Sequence, residues 1–263
     1  MKIFKYTDQI GAMKILETET IRYTPLINLN DPSEGRWNID IESEWNTLVS
    51  RALRRMGLVF SSDHAKIKAA KLPKLRAAIF DELLKAQNNL AVFCASEINN
   101  NPAMWAYYAD HHHGAVVGFH RKHPIFDLTA GLEPSLRKLH PVVYQAVYPY
   151  LPSFAGTGKR DFTPVYLTKG SAWRHEHEVR MLLPLEHLRS VGGEQEKKWL
   201  HPAPSDAVAD LILGVRMPLN EQEKLTRLIR SNQKLSHVKI YQARLATNTY
   251  EIEIIPLERR ASS

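Results

Sequence analysis

The sequence predicts an α+β fold whose core is a mostly antiparallel mixed sheet, with a helical, basic insertion at 39–89. Three observations carry that prediction. Short alternating or apolar runs recur at 2–7, 90–95, 115–119 and 208–214, which is the pattern of strands. Helical patterns interleave with them, while the runs within 237–255 lie close enough in sequence to pair antiparallel. Finally, 51–90 holds nine basic side chains against Asp63, Asp81 and Glu82, and only two aromatic residues, Phe60 and Phe80. The chain reads as a single α+β domain over 1–263, with no internal repeat.

Residues 2–7 alternate like a strand, and Asp8 is placed to cap a helix over 9–19 that carries Ile10, Met13, Ile15 and Leu16. A strand over 20–27 is interrupted by Pro25. Asn28 to Gly35 is turn chemistry, with Pro32 pushing Asp31 away from helical geometry. Helix is expected over 39–56 and 64–88, broken near Gly57 and at Pro73. Leu90 to Ala95 reads as a buried strand, Ala103 to Ala109 as a helix, and Ala115 to Phe119 as a strand. Residues 121–141 are loop-like, Val142 to Tyr148 alternate, and the Pro-, Gly- and Ser-rich 149–163 connects them onward. Strands follow at 173–183 and 208–214, then an amphipathic helix at 219–235, a strand pair within 237–255, and a disordered tail, Arg259 to Ser263. Val92, Val117 and Ile212 are expected to be buried in strands of one core.

The chain has 263 residues, 44% hydrophobic and 24% charged, enough for a sizeable core. No run reaches the roughly 18–20 apolar residues of a membrane span. The start lacks a signal-peptide core, and Cys94 is the one cysteine, so neither an internal disulfide nor a cysteine-built zinc site is possible. The expectation is a cytoplasmic protein without a membrane partner. The net charge is +7, concentrated in 51–90. Arg54, Arg55, Lys66 and Lys68 are the candidate phosphate contacts if that segment binds nucleic acid; the simpler reading is a solvated helical face.

Chemistry concentrates at Trp173 to Arg180. As a strand, this segment would put Arg174, Glu176, Glu178 and Arg180 on one face and Trp173, His175 and His177 on the other. Two carboxylates on one face suit a reaction through an oxocarbenium-like transition state, whereas the simpler reading of Arg174-Glu176-Glu178-Arg180 is a salt-bridged edge face with cross-strand partners. His175 and His177 together with His111, His112 and His113 offer a rival metal site, although no His-Glu-x-x-His spacing occurs and no metal is expected. Cys94, inside an apolar run, reads as a small core residue. Trp105 and Tyr108, at i and i+3 of a helix, share a face: core aromatics, or a surface on which a flat ring stacks. Asp31 is most simply a turn residue, and a ribose-hydroxyl acceptor if its loop borders a pocket. Gly156-Thr157-Gly158-Lys159 lacks the flanks of a phosphate loop and reads as a flexible connection.

Lys5-Tyr6, Asn30-Asp31-Pro32, Met104 to Tyr108 leading to Gly114 and Gly118-Phe119, Lys169, and Trp173 to Arg180 together resemble a bacterial family, domain-of-unknown-function family 2971. Ile212-Leu213-Gly214 and Val238 to Ala243 extend the resemblance over nearly the whole chain. Ser33 stands where the family usually has an aromatic. The order of elements and the Glu176-His177-Glu178-Val179 run also resemble the ADP-ribosyltransferase superfamily, with Lys5 in Phe4-Lys5-Tyr6-Thr7 where histidine is commonest. That resemblance implies NAD as substrate, Glu178 as the residue that stabilises the ribosyl cation and Glu176 as the one that assists the acceptor. It implies NAD contacts from Lys5, Tyr6 and Thr7; Asp31, Trp105 and Tyr108 join them as candidates on the readings above. The function it implies is a transferase acting on nucleic acid or protein, as a bacterial toxin or phage-defence effector. The competing expectations are a non-catalytic nucleic-acid-binding protein of the same fold and a histidine-ligated metal-dependent hydrolase.

Overall fold

A computed structural model describes residues 1–40, 45–46, 64–129, 136–151, 162–193 and 196–257. The chain divides into two compact units: one made of 1–24, 91–142 and 172–263, the other of 25–90 and 143–171. The described residues form a mixed α+β structure with one large, mostly antiparallel sheet, which belongs to the first unit.

The sheet begins with β1 (Lys2–Thr7) and α1 (Gln9–Thr18), whose first turn is capped by the Asp8 carboxylate accepting from Gly11 N–H. After β2 (Thr20–Pro25) the chain enters the second unit, where α2 (His64–Asn88) lies, and it returns as β3 (Leu90–Ser96). Next come α3 (Pro102–Tyr108), β4 (Ala115–His120) and the short β5 (His140–Pro141). The second unit contributes β6 (Val143–Gln145), α4 (Thr163–Tyr166) and β7 (Thr168–Gly170). Then follow β8 (Glu178–Pro184), β9 (Arg189–Val191), β10 (Lys198–Pro202), β11 (Val208–Leu213), α5 (Leu219–Ser231), β12 (Lys239–Leu245) and β13 (Ile252–Pro256).

Strand order is β13-β12-β11-β4-β1-β3-β2-β10-β9, with β8 paired to both β3 and β5. β11 and β12 run parallel, and α5 supplies the crossover that a parallel pair requires. The expected terminal pair is present: β12 and β13 are antiparallel from Tyr241↔Pro256 to Leu245↔Ile252.

Both faces of the sheet are covered. Ala115, Val117 and Phe119 of β4 and Leu211 and Leu213 of β11 join Phe93, α1 and Leu225 and Ile229 of α5 in the larger core. The alternate residues Val116 and Ile212 join Tyr6, Met104 and Trp105 in a smaller one. Val92, Val117 and Ile212 are therefore all buried strand residues, as expected, but Val117 and Ile212 serve opposite faces. Glycine is required where the ends of β4 and β11 meet: a Cβ on Gly114 would collide with the Thr7 carbonyl, and one on Gly214 with the His112 carbonyl. Just before them Asp110, His111 and His112 all adopt positive φ, of 47°, 51° and 72°.

In the second unit, Asp31 closes its turn by accepting from Ser33 N–H and Ser33 O–H at 2.8 and 2.6 Å. Lys169 of β7 makes a buried ion pair with Glu34 at 3.3 Å. The expected break at Pro73 does not occur; α2 runs through it. The missing N–H costs one helical bond, but Ala69, Ala70, Lys71, Lys74, Arg76, Ala77 and Ala78 around it are strong helix formers that offset the loss. Arg54 and Arg55, the loop 152–161 and the tail from 258 lie outside the described residues, and Lys66 and Lys68 are described only as backbone of α2.

Candidate functional site

The expected strand over 173–183 is corrected by the structure. Ser171–Glu176 forms a 3₁₀ helix, His177 turns with φ of 45°, and extended backbone begins only at Glu178. Alternation therefore does not place Glu176 and Glu178 on one face, nor His175 beside His177. Hydrogen bonds from the 96–101 segment shape this stretch instead. Ser96 Oγ donates to the Glu176 carbonyl at 2.6 Å, Glu97 N–H to the His177 carbonyl at 2.9 Å, and Asn101 Nδ2 to the His175 carbonyl at 3.0 Å. Asn101 also caps α3 through Oδ1, with Pro102 at the first helical position, where its absent N–H costs nothing. One residue thus fixes both α3 and the carboxylate segment.

Both carboxylates are buried, Glu176 at 2% and Glu178 at 6% exposure. Tyr108 O–H donates to Glu176 Oε1 at 2.7 Å. Arg180, two residues along β8 and 1% exposed, grips Glu178 with Nε on Oε1 at 2.7 Å and a terminal nitrogen on Oε2 at 3.0 Å. The i, i+2 spacing on β8 puts these two side chains on one face, away from Val179, Met181 and Leu183 in the larger core. A bidentate guanidinium is what lets a carboxylate stay buried.

Lys5 and Cys94 complete the polar group. Phe4 pairs with Ser96 where β1 runs antiparallel to β3, and Lys5 Nζ reaches the Cys94 carbonyl at 2.9 Å and lies 5.5 Å from the Phe93 ring centre. Burial pushes the Lys5 ammonium pKa down, against the opposing pull of the Glu178 charge. Burial, followed by the Glu178 charge, pushes the Cys94 thiol well up, so at neutral pH it is a protonated thiol and a poor nucleophile.

The remaining candidate residues are distributed unevenly. Tyr6 is 5% exposed, packs edge-on against Trp105 at 5.5 Å and donates to the Ile98 carbonyl at 3.1 Å. Trp105 is fully buried and donates to the Asn99 carbonyl at 2.9 Å. These two rings hold their polar atoms on main-chain carbonyls and pack together in the smaller core. Tyr108 is partly exposed and touches Glu176 directly. Thr7 is partly exposed at the end of β1, its hydroxyl against Gly11. Asp31 belongs to the second unit, in the turn already described. Trp173 lies tilted against His175 at 6.2 Å and edge-on to the 65%-exposed Tyr107 at 6.5 Å. Among the described residues, no three His, Cys, Asp or Glu side chains come together to hold a metal ion, and no helix is long and apolar enough to cross a membrane.

Sequence reasoning did not anticipate Ser96 and Asn101 as the residues that shape the carboxylate segment. Asn101-Pro102 before Met104-Trp105 was a legible helix start, but nothing local showed that the same amide reaches His175. No family model, curated protein or solved structure matches the chain.

Proposed function

We propose that the chain is an ADP-ribosyltransferase-like enzyme that cleaves NAD, with Glu178 as the residue that stabilises the ribosyl cation. The observation that carries this reading is the pair of buried carboxylates in one unit, Glu178 oriented by Arg180 and Glu176 by Tyr108, beside Lys5 of the first strand. In low dielectric an oriented carboxylate interacts far more strongly with a developing cation than it would in water. In the reaction the bond between ribose C1′ and the nicotinamide nitrogen breaks, and nicotinamide leaves with the electron pair. Glu178 stabilises the cationic ribose, the acceptor oxygen or nitrogen forms the new bond to C1′, and Glu176 takes the acceptor's proton. Lys5 offers positive charge for the NAD phosphates. An acceptor on nucleic acid or protein, and service as a cytoplasmic toxin or defence effector, follow from the resemblance.

Incubation with NAD, alone and with RNA, DNA or protein acceptors, tests the reading through nicotinamide release. Glu178→Gln should lower turnover by about 100-fold with little effect on NAD binding, on the scale of a lost electrostatic stabiliser. Glu176→Gln should spare NAD cleavage and impair transfer. Equal, nonzero turnover by folded Glu178→Gln removes that residue from the mechanism. The closed Glu178–Arg180 pair favours a second reading, in which it braces β8 in a non-catalytic binding protein. No turnover by the unaltered chain with any acceptor supports that one.

A further inference from the structure

The second unit contains an open groove of about 900 Å³ between the 32–39 segment and α2. Its floor is apolar, with Leu83 at 1% exposure, yet its rim is not simply hydrophobic. Trp37 and Phe80 both line it and pack against each other, ring centres 6.4 Å apart and inclined at 40°, and Phe80 is 50% exposed. Tyr148 adds a third ring, 41% exposed.

Two arginines line the same groove. Arg36 is exposed, its Nε held by the Pro32 carbonyl at 3.3 Å, and Arg76 is exposed on α2. Neither has a carboxylate partner among the described residues. The acidic residue lining the groove, Glu34, is matched by Lys169. Lys71 and Lys74 are exposed on the same helix, which carries six basic residues against two acidic ones. Folding thus brings exposed rings and unmatched guanidinium groups together on a basic helix.

We propose that this groove binds single-stranded nucleic acid, with bases stacking on Trp37 and Phe80 and phosphates meeting Arg36 and Arg76. Rings supply sequence-tolerant stacking to unpaired bases, and cations track the backbone. Its volume suits one or two nucleotides. An acidic peptide would satisfy the arginines but leave the rings idle, and a duplex would keep its base faces closed. The site is independent of the NAD reading, because binding requires no turnover.

Fluorescence anisotropy with labelled single-stranded RNA and DNA oligonucleotides, a matched duplex and a poly-glutamate peptide, all without NAD, tests the assignment. The full chain should bind single strands more tightly than duplex or peptide. Phe80→Ala should weaken that binding by about tenfold, on the scale of one lost base stack. Phe80→Leu, which keeps apolar volume, should lose nearly as much. Arg36→Gln with Arg76→Gln should reduce the slope of log affinity against log salt by about 1.4, at roughly 0.7 per phosphate contact on a single strand. Lys224→Gln, at an exposed position of α5 in the other unit, should change neither. The proposal is overturned by absent single-strand binding, by equal affinity for duplex or peptide, or by affinity unaltered in folded Phe80→Leu. Strand binding that fails while NAD is cleaved removes this site alone, and the converse removes only the transferase reading.

Discussion

Removing Arg180 should expose how much of this fold depends on one ion pair. The guanidinium and the Glu178 carboxylate are 1% and 6% exposed, and two hydrogen bonds of 2.7 and 3.0 Å join them. Arg180→Met keeps most of the buried volume but leaves Glu178 in low dielectric without its main partner. Truncating one side of a buried pair costs about 3–5 kcal/mol. That is a large fraction of the roughly 5–15 kcal/mol by which a domain is stable, and at about 2–4 °C per kcal/mol it lowers Tm by some 6–20 °C. Glu178→Leu combined with Arg180→Met removes both charges, together with their desolvation cost. This double variant should lie within about 1–2 kcal/mol of the parent or above it, giving a coupling of several kcal/mol. Urea unfolding of the parent, the two single variants and the double variant measures the cycle. Additivity within about 0.5 kcal/mol would refute the argument that the pair is one buried electrostatic unit. The same double variant also separates the two functional readings, since it should fold without the Glu178 charge. Loss of NAD cleavage in that stable protein supports catalysis by Glu178, and retained cleavage assigns the pair to bracing β8.

Two further outcomes follow from local geometry. His177 is exposed with φ of 45°, a region that costs a side-chain-bearing residue about 1 kcal/mol, so His177→Gly should leave stability unchanged or raise it by up to about 1 kcal/mol, and His177→Val should lower it by more than 1; unfolding midpoints check both. Among the described residues the Tyr23 hydroxyl is buried without a hydrogen-bond partner, and the ring is fully buried near Phe93, so Tyr23→Phe should stabilise the protein by about 1 kcal/mol at pH 7. Burial raises the Tyr23 pKa above its ordinary value of 10, so above pH 10 the unfolded chain loses a proton that the native state keeps, and stability falls as pH rises. Tyr23→Phe should make that alkaline decline shallower, which urea unfolding at pH 7 and pH 10.5 would show.

Reading the chain residue by residue located most strands because their signals are local. Leu90 to Ala95, Ala115 to Phe119 and Val208 to Gly214 are apolar runs bounded by polar or turn residues, and each is a strand close to those limits. The Asp8 cap and the Asp31 turn were legible because a short oxygen-bearing side chain satisfies backbone donors two or three residues away. At Trp173 to Arg180 the same reasoning misjudged the backbone. The charges alternate as a strand would have them, but Ser96, Glu97 and Asn101 bind the carbonyls of 175–177 and hold a 3₁₀ turn there. A period of two in sequence cannot compete with three hydrogen bonds from a segment about 80 residues away.

By itself, then, the sequence determined the α+β class, the run of strands and the concentration of carboxylates and arginines near residue 178, since composition and short-range periodicity are properties of neighbours along the chain. Tertiary structure alone decided which charges meet. Arg180 grips Glu178, and Tyr108 reaches Glu176 across 68 positions. Trp37 and Phe80, 43 residues apart, pack together in the lining of one groove. Pairings of that kind are settled by which strands and helices pack together. Packing minimises the burial of unmatched polar groups over the whole fold, and no local window of sequence records that sum.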